Sequence, residues 1–312
     1  KIYHIADVHI RNVKRHKGYR QVFEKMFEEI RKRGTEDAII YLAGDIAHAK
    51  TEMSPELVQE ISWFLTECAK LRETVLITGN HDCNLNNQHR LDVLTPIIDN
   101  LNNPRIHYLR DTGVYNIYNL NFVVYSILDK KENWPKAEEI KGENKICLFH
   151  GPINKAQTDV GYTVSSNSFT VDMFDGFDMV LMGDIHKRQF FNHKGTLIAM
   201  PSSLIQQNFG ENVSKHGFLL WDIENNTYTE HDVKNNYTRF LILAPRAVTP
   251  ENANKASINF YTDHSQGSLA KVLTVIANEG VNLSKLQSFP IAGSRFKYGF
   301  HADLEFDHVL QF

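Results

Sequence analysis

Short apolar runs alternate with helical periods through the first hundred residues. "KIYHIADVH" reads as a strand, Val22, Phe23, Met26, Phe27 and Ile30 recur at helical spacing, and "AIIYLAGD" reads as a second strand. Ser54 followed by Pro55 marks a helix start, a capping side chain with proline at the first helical position, and Leu57, Val58, Ile61, Phe64 and Leu65 share one face beyond it. That helix leads into "TVLITGNHD", so the opening follows strand-helix-strand grammar. From Asn103 the pattern turns to successive strands, "RIHYL", "GVYNIY", "NFVVYSI", "KICLFHG" and "MVLMGDIH", followed by "GTLIAM" and "KHGFLLWDI". The order predicts an α/β fold, a two-layered β-sandwich core flanked by helices. A polar stretch from Asn154 to Phe169, rich in Ser, Thr and Asn, reads as a loop of functional length.

The pattern changes near residue 250. "APRAVTPENANKA", with two prolines and many small residues, reads as a linker. After it come a strand, "SINFYT", a helix with Leu269, Val272, Leu273 and Ile276 on one face and Gly280 as its stop, and the strands "VNLSKLQSFP" and "FKYGFHADLEF". The expected division is a first domain over residues 1–235, a linker over 236–256 and a second domain over 257–312.

Composition narrows the picture only a little. The 312 residues hold 37 acidic and 34 basic side chains, a net charge of -3, so bulk charge gives no argument for a nucleic-acid or membrane partner, and any such partner has to be argued locally. Three cysteines in no paired spacing, Cys68, Cys83 and Cys147, suit a reducing compartment. No apolar run is long enough for a membrane span, no signal peptide opens the chain, and the absence of an initiating Met suggests trimming or processing. The expected location is the cytoplasm, with no membrane contact.

Chemistry concentrates where apolar strands stop. Asp7 and His9, Asp45, Asn80 and His81, His150, and Asp184 with His186 each directly follow such a run. Ligands gather in loops at the ends of buried strands, and hard divalent cations such as Mn²⁺ take carboxylate, amide oxygen and imidazole together. Any one of these clusters is common at a strand end. All five converging would hold two cations about 4 Å apart, an arrangement that runs phosphodiester hydrolysis without a protein nucleophile. Asp45 is the natural bridge, because a carboxylate offers two oxygens. His4, His16, His48, His89 and His107 read as surface or core residues.

Asp7-Val8-His9, Gly44-Asp45, Gly79-Asn80-His81-Asp82, His150-Gly151 and Gly183-Asp184-Ile185-His186 resemble the five motifs of the calcineurin-like metallophosphoesterases. Within them the chain most resembles the SbcD-type nuclease subunits of DNA double-strand-break repair complexes, particularly phage versions. "MPSSLIQQNFGE" followed by "KHGFLLWDI" is similar to that family's proline-serine turn and closing strand, and the likeness runs from Lys1 to about Asn235. By this resemblance Asp7, His9, Asp45 and His186 hold one Mn²⁺, and Asp45, Asn80, His150 and Asp184 the other, with Mg²⁺ as the alternative metal. His81 is then the catalytic histidine that stabilises or protonates the leaving oxygen, with Asp82 orienting its ring. Asp184 departs from the family's usual histidine, and a carboxylate there adds negative charge that retunes metal preference.

DNA as substrate finds local support. The serine/threonine phosphatase branch carries a second Asp and an Arg beyond "GD" and an acidic "GNHE"; here the chain reads "GDIAHAK" and "GNHD". "IRNVKRHKGYR" places Arg11, Lys14, Arg15 and Arg20 in a basic strip able to meet phosphates, and Lys187 and Arg188 follow the last motif. The resemblance implies an exonuclease or endonuclease acting with an SbcC-type ATPase. Its rivals are a small-ester phosphodiesterase or phosphatase, and an amino-acid-sensing module built on an inactive phosphoesterase core.

The last rival rests on residues 257–312, which resemble an ACT domain of the prephenate dehydratase kind, a partial ferredoxin-like fold. Gly267-Ser268-Leu269 lies where that family has its Gly-Ala-Leu turn, and Leu286-Gln287-Ser288-Phe289-Pro290 where it has Glu-Ser-Arg-Pro. The resemblance implies amino-acid binding at Gly267, Ser268, Leu269, Gln287 and Ser288, with departures at Gln287 and Phe289. Asn236 to Phe240 looks like the Thr-Arg-Phe segment ending a dehydratase catalytic domain. The βαββαβ order is expected to lack its second helix and last strand, leaving a sheet edge that favours a homodimer.

Overall fold

The structure, a computed structural model, describes residues 1–35, 37–50, 52–87, 89–165, 169–208, 210–233, 253–263, 265–290 and 298–307. The chain divides into two compact units, Lys1–Thr238 and Arg239–Phe312. The stretch expected as a linker lies mostly outside the described residues, as does Asn236 to Phe240.

Two six-stranded sheets build the first unit. The first sheet contains β1 (Ile2–Ile5), β2 (Ile39–Leu42), β3 (Glu73–Leu76), β4 (Ile106–Tyr108), β11 (Gly217–Asp222) and β12 (Thr227–Asp232), ordered β12-β11-β1-β2-β3-β4. The second contains β5 (Gly113–Ile117), β6 (Leu120–Tyr125), β7 (Lys145–His150), β8 (Met179–Gly183), β9 (Gln189–His193) and β10 (Thr196–Met200), ordered β5-β6-β7-β8-β10-β9. Strands β1 to β4 run parallel, as do β6, β7, β8 and β10, while β11, β12, β5 and β9 join by antiparallel pairing. Central strands of this kind bury both faces. In β2, Ile39 and Tyr41 face the second sheet and Ile40 and Leu42 face the helices, and all four are buried.

Helix α1 (His16–Lys32) buries Tyr19, Val22, Phe23, Met26, Phe27 and Ile30 against the first sheet. Helix α2 (Pro55–Leu71) starts at Ser54, whose Oγ accepts the Leu57 N–H at 3.1 Å, and packs Phe64 against Phe23. A short helix α3 (Thr95–Leu101), absent from the expectation, is held at its start by Asp92, whose Oδ1 accepts the Thr95 N–H at 2.8 Å. Trp134, Phe174 and Phe177 cover the outer face of the second sheet from loops and 3-10 turns. Buried polar groups tie the sheets together: His4 on β1 donates through Nε2 to the Met182 carbonyl (3.0 Å), and its Nδ1 accepts from Trp221 Nε1 (3.3 Å). The predicted two-layered α/β sandwich is the observed fold. Strands β9 and β12, which the apolar pattern does not predict, are edge strands.

The second unit pairs β13 (Lys255–Tyr261), β15 (Tyr298–Glu305) and β14 (Asn282–Pro290) in an antiparallel sheet of that order, with α4 (Ser268–Asn278) following β13. Val281, Ala302, Leu304 and Phe306 form its buried core. Among the described residues of the chain, no helix is long and apolar enough to cross a membrane.

Candidate metal centre

All five polar clusters sit at the carboxyl ends of parallel strands: β1, β2 and β3 from one sheet, β7 and β8 from the other. The backbone there is unusual. Asp7, His9, Asp45 and Asp184 adopt left-handed φ of 52°, 51°, 54° and 91°, a conformation costing a non-glycine residue about 1–3 kcal/mol. Hydrogen bonds between the strand ends hold it: His9 N–H donates to the Asp45 carbonyl (2.9 Å), and Asp184 N–H to the Asp7 carboxylate (3.0 and 3.2 Å). Gly79 is required by crowding, since a Cβ there would overlap the backbone nitrogen and Oδ1 of Asp45.

The side chains converge. Asp45 Oδ2 lies 3.5 Å from His9 Nε2 while its Oδ1 lies 3.4 Å from His150 Nε2, so the two oxygens of one carboxylate face two groups of donors. On one side His9 Nε2 and His186 Nε2 approach to 3.0 Å beside Asp7. On the other, His150 Nε2 meets Asn80 Oδ1 at 3.3 Å and Asp184 Oδ1 at 3.8 Å. The ring tautomers follow from the partners. His150 Nδ1 donates to the Ala43 carbonyl at 2.6 Å and His186 Nδ1 to Glu211 Oε1 at 2.7 Å, leaving each Nε2 facing inward, as metal-ligating histidines are commonly held. Two donor groups, Asp7 with His9 and His186, and Asp7 with Asp45 and His150, each bring their ligand atoms within 4.8 Å of one another.

Electrostatics show an excess of buried negative charge. Burial pushes the Asp7 carboxyl up to about 7, with the His186 and His150 charges opposing. Burial would raise Asp45 too, but the adjoining His150 and His9 charges hold it below the usual carboxylate range. Burial opposes protonation of His150, and Asp45, Asp184 and Asp7 outweigh it and raise its pKa. Burial lowers His9, whose Nδ1 is a buried nitrogen with no hydrogen-bond partner. Carboxylates, an amide oxygen and inward imidazoles gathered this closely suit hard divalent cations.

His81 stands at the rim. Its Nδ1 donates to the His48 carbonyl at 2.8 Å and its backbone N–H to Asp45 Oδ1 at 2.7 Å, which leaves Nε2 free to meet a substrate. The expectation that Asp82 orients this ring is corrected. Both oxygens of buried Asp82 accept backbone N–H groups, Ala47 at 2.8 Å and Gly79 at 2.9 Å, so Asp82 braces the turn that carries His81. His48 also departs from the expected bland role: it stacks on His81 at 5.5 Å between centroids and joins His9 and His81 as a third imidazole. The available signal was His48's place three residues after the motif's Asp45, but a lone histidine gives no reason to weigh it. Glu211, contributed by the loop before β11, closes the stretch "MPSSLIQQNFGE", but nothing in that stretch ties it to the site.

The basic strip is less free than its composition suggested. Arg11 Nη2 donates to the Gln207 carbonyl (3.4 Å), Arg15 Nη1 to the Gln206 carbonyl (3.2 Å), and Arg20 Nε to Glu60 (2.9 Å) while lying over the Trp63 ring. Lys14 is exposed. Arg188, which follows the last motif, is a buried tie: it donates to the Pro201 carbonyl (2.9 Å) and pairs with Glu230 (3.0 Å) and Asp232 (2.7 Å). In the second unit Gly267, Ser268 and Leu269 line a small pocket of about 200 Å³ with Thr262, Asp263 and Phe300. Gln287 and Ser288 lie outside that lining, on β14, where Ser288 pairs with Phe300 on β15.

Comparison with known proteins agrees with the first unit's chemistry. A family model described as Calcineurin-like phosphoesterase matches residues 1–188. Over 247 residues the chain is 40% identical to the uncharacterized protein R555 of Acanthamoeba polyphaga mimivirus, covering 76% of this chain and 18% of that one. A separate 74-residue match, 39% identical, is to a bifunctional chorismate mutase/prephenate dehydratase of Aquifex aeolicus, covering 24% of this chain and 20% of that protein. The chain thus spans about a fifth of the length of these relatives. A solved structure described as a novel archaeal phosphodiesterase aligns over 73% of this chain and 96% of its own, at 14% identity and a TM-score of 0.39.

Proposed function

The chain belongs to the calcineurin-like phosphoesterase family, and from that premise we propose that it is a two-metal DNA nuclease of the SbcD type, active with Mn²⁺. The observation that carries the reading is Asp45, whose two oxygens face separate donor groups, the geometry a bridging carboxylate needs. Asp7, His9, Asp45 and His186 would hold one cation, and Asp45, Asn80, His150 and Asp184 the other. Such a pair supplies Lewis acidity, polarising phosphoryl oxygens and making water nucleophilic near neutral pH. The chain's own part is positioning and proton handling. His81, fixed through its Nδ1–H by the His48 carbonyl, presents Nε2 to the leaving oxygen and holds or delivers its proton. Duplex ends would be reached with an SbcC-type ATPase partner, and the ACT-like unit would bind an amino acid at the pocket beside Gly267.

A small-ester phosphodiesterase is the second reading, favoured by Arg11, Arg15, Arg20 and Arg188, which are engaged with carbonyls or carboxylates and so do not form an open phosphate track. The test is cleavage of linear DNA with Mn²⁺, run beside hydrolysis of bis-nitrophenyl phosphate. DNA cleavage supports the nuclease reading; turnover of the small ester with intact DNA transfers the assignment to the second.

A further inference from the structure

Three imidazoles are assigned as ligands, His9, His150 and His186, and their outer nitrogens are treated differently. His150 Nδ1 donates to a neutral acceptor, the Ala43 carbonyl, and His9 Nδ1 has no hydrogen-bond partner. His186 alone of the three is backed by a carboxylate, through the 2.7 Å contact to Glu211 Oε1. Glu211 is buried and fully engaged: its Oε1 also accepts from Asn208 Nδ2 (2.7 Å), and its Oε2 accepts from the Gln207 N–H (2.8 Å) and Ser203 Oγ–H (3.2 Å). These donors lock the carboxylate in place, so it has one remaining task, to fix the His186 tautomer and ring plane.

We propose that Glu211 is a positioning residue that makes the Asp7–His9–His186 side of the centre bind its cation first. This rests on the ligand assignment proposed above. Under it each position has one carboxylate of its own, Asp7 or Asp184, and shares Asp45. They differ in their neutral donors: two imidazoles on one side, and one imidazole with the Asn80 amide oxygen on the other. A carboxylate behind an imidazole raises the electron density at its inner nitrogen and removes the entropy of aligning the ring, and loss of such a partner typically weakens metal binding about 10–100-fold. Nothing comparable stands behind His150, so the asymmetry belongs to one position only.

The test is calorimetric titration of chelator-stripped full chain with Mn²⁺, comparing wild type, Glu211→Gln and Glu211→Ala, with thermal melts of each. Wild type should bind in two resolved steps. Glu211→Gln, which keeps a hydrogen-bond acceptor without the charge, should weaken the first step by about 10-fold, and Glu211→Ala by up to about 100-fold, with the second step unchanged. Should the alanine variant fail to fold, the isosteric glutamine variant decides. Unaltered steps in that variant, or both steps weakened equally together with a lowered melting temperature, overturn the proposal while leaving the ligand assignment standing. Absence of Mn²⁺ binding in wild type overturns both.

Discussion

His9, His48 and His81 crowd one side of the centre with ring centroids 4.8 to 5.5 Å apart, and their hydrogen bonds separate their roles. His81 has a fixed outer nitrogen and a free inner one, the arrangement of a proton carrier. Replacing His81 with Ala should lower phosphodiester hydrolysis by about 10²–10⁴-fold while leaving Mn²⁺ affinity unchanged, because its ring is placed to meet substrate. Equal losses in affinity and turnover would make it a ligand. Asp7 tests the charge excess. Its folded pKa, raised from 3.8 to about 7, means that the folded state binds the extra proton between those values, so metal-free stability is lost as pH rises through that window. Asp7→Asn in chelator-treated protein should therefore be more stable than wild type by a few kcal/mol at pH 8, with the difference shrinking to nothing toward pH 4. Melts at a series of pH values check the sign; a constant difference would show that charge is not the cause.

At the scale of elements, the centre depends on how closely the turns after β2 and β3 approach. Gly79→Ala should force the Asp45 turn outward, destabilising the chain by about 1–3 kcal/mol and reducing Mn²⁺ affinity together, and denaturant melts with calorimetry would show whether the two losses coincide. What the sequence disclosed is also clearest here. Each site residue follows an apolar run because a buried parallel strand must end in a turn, so both the strands and their polar tips could be read locally. Glu211 could not: it is 25 residues from the His186 it supports, and only the path of the chain through Ser203 and Gln207 brings them together. Edge strands β9 and β12 are hard to read in the sequence: "TYTEHD" is largely polar and exposed, and "QFFNH" offers only Phe190 and Phe191, one packed on each face, too short an apolar run to signal a strand. Arg20 and Arg188 count as cations in the sequence, but residue type does not reveal a partner such as Glu60 or Asp232.

For the whole molecule, all five strand ends that form the centre lie in the first unit, which also carries the family match. A chain ending at Thr238 should thus keep Mn²⁺ binding and bis-nitrophenyl phosphate turnover, and loss of either on truncation would assign the second unit a part in the chemistry. The second unit's described core is four side chains, Val281, Ala302, Leu304 and Phe306, a small store of buried apolar surface for a fold standing alone. The pair of cations can be counted directly by anomalous scattering from Mn²⁺-soaked crystals. A bridged pair gives two peaks, with Asp45 touching both, Asp7, His9 and His186 around one, and Asn80, His150 and Asp184 around the other. A single peak, or peaks that leave Asp45 uncoordinated, would contradict it.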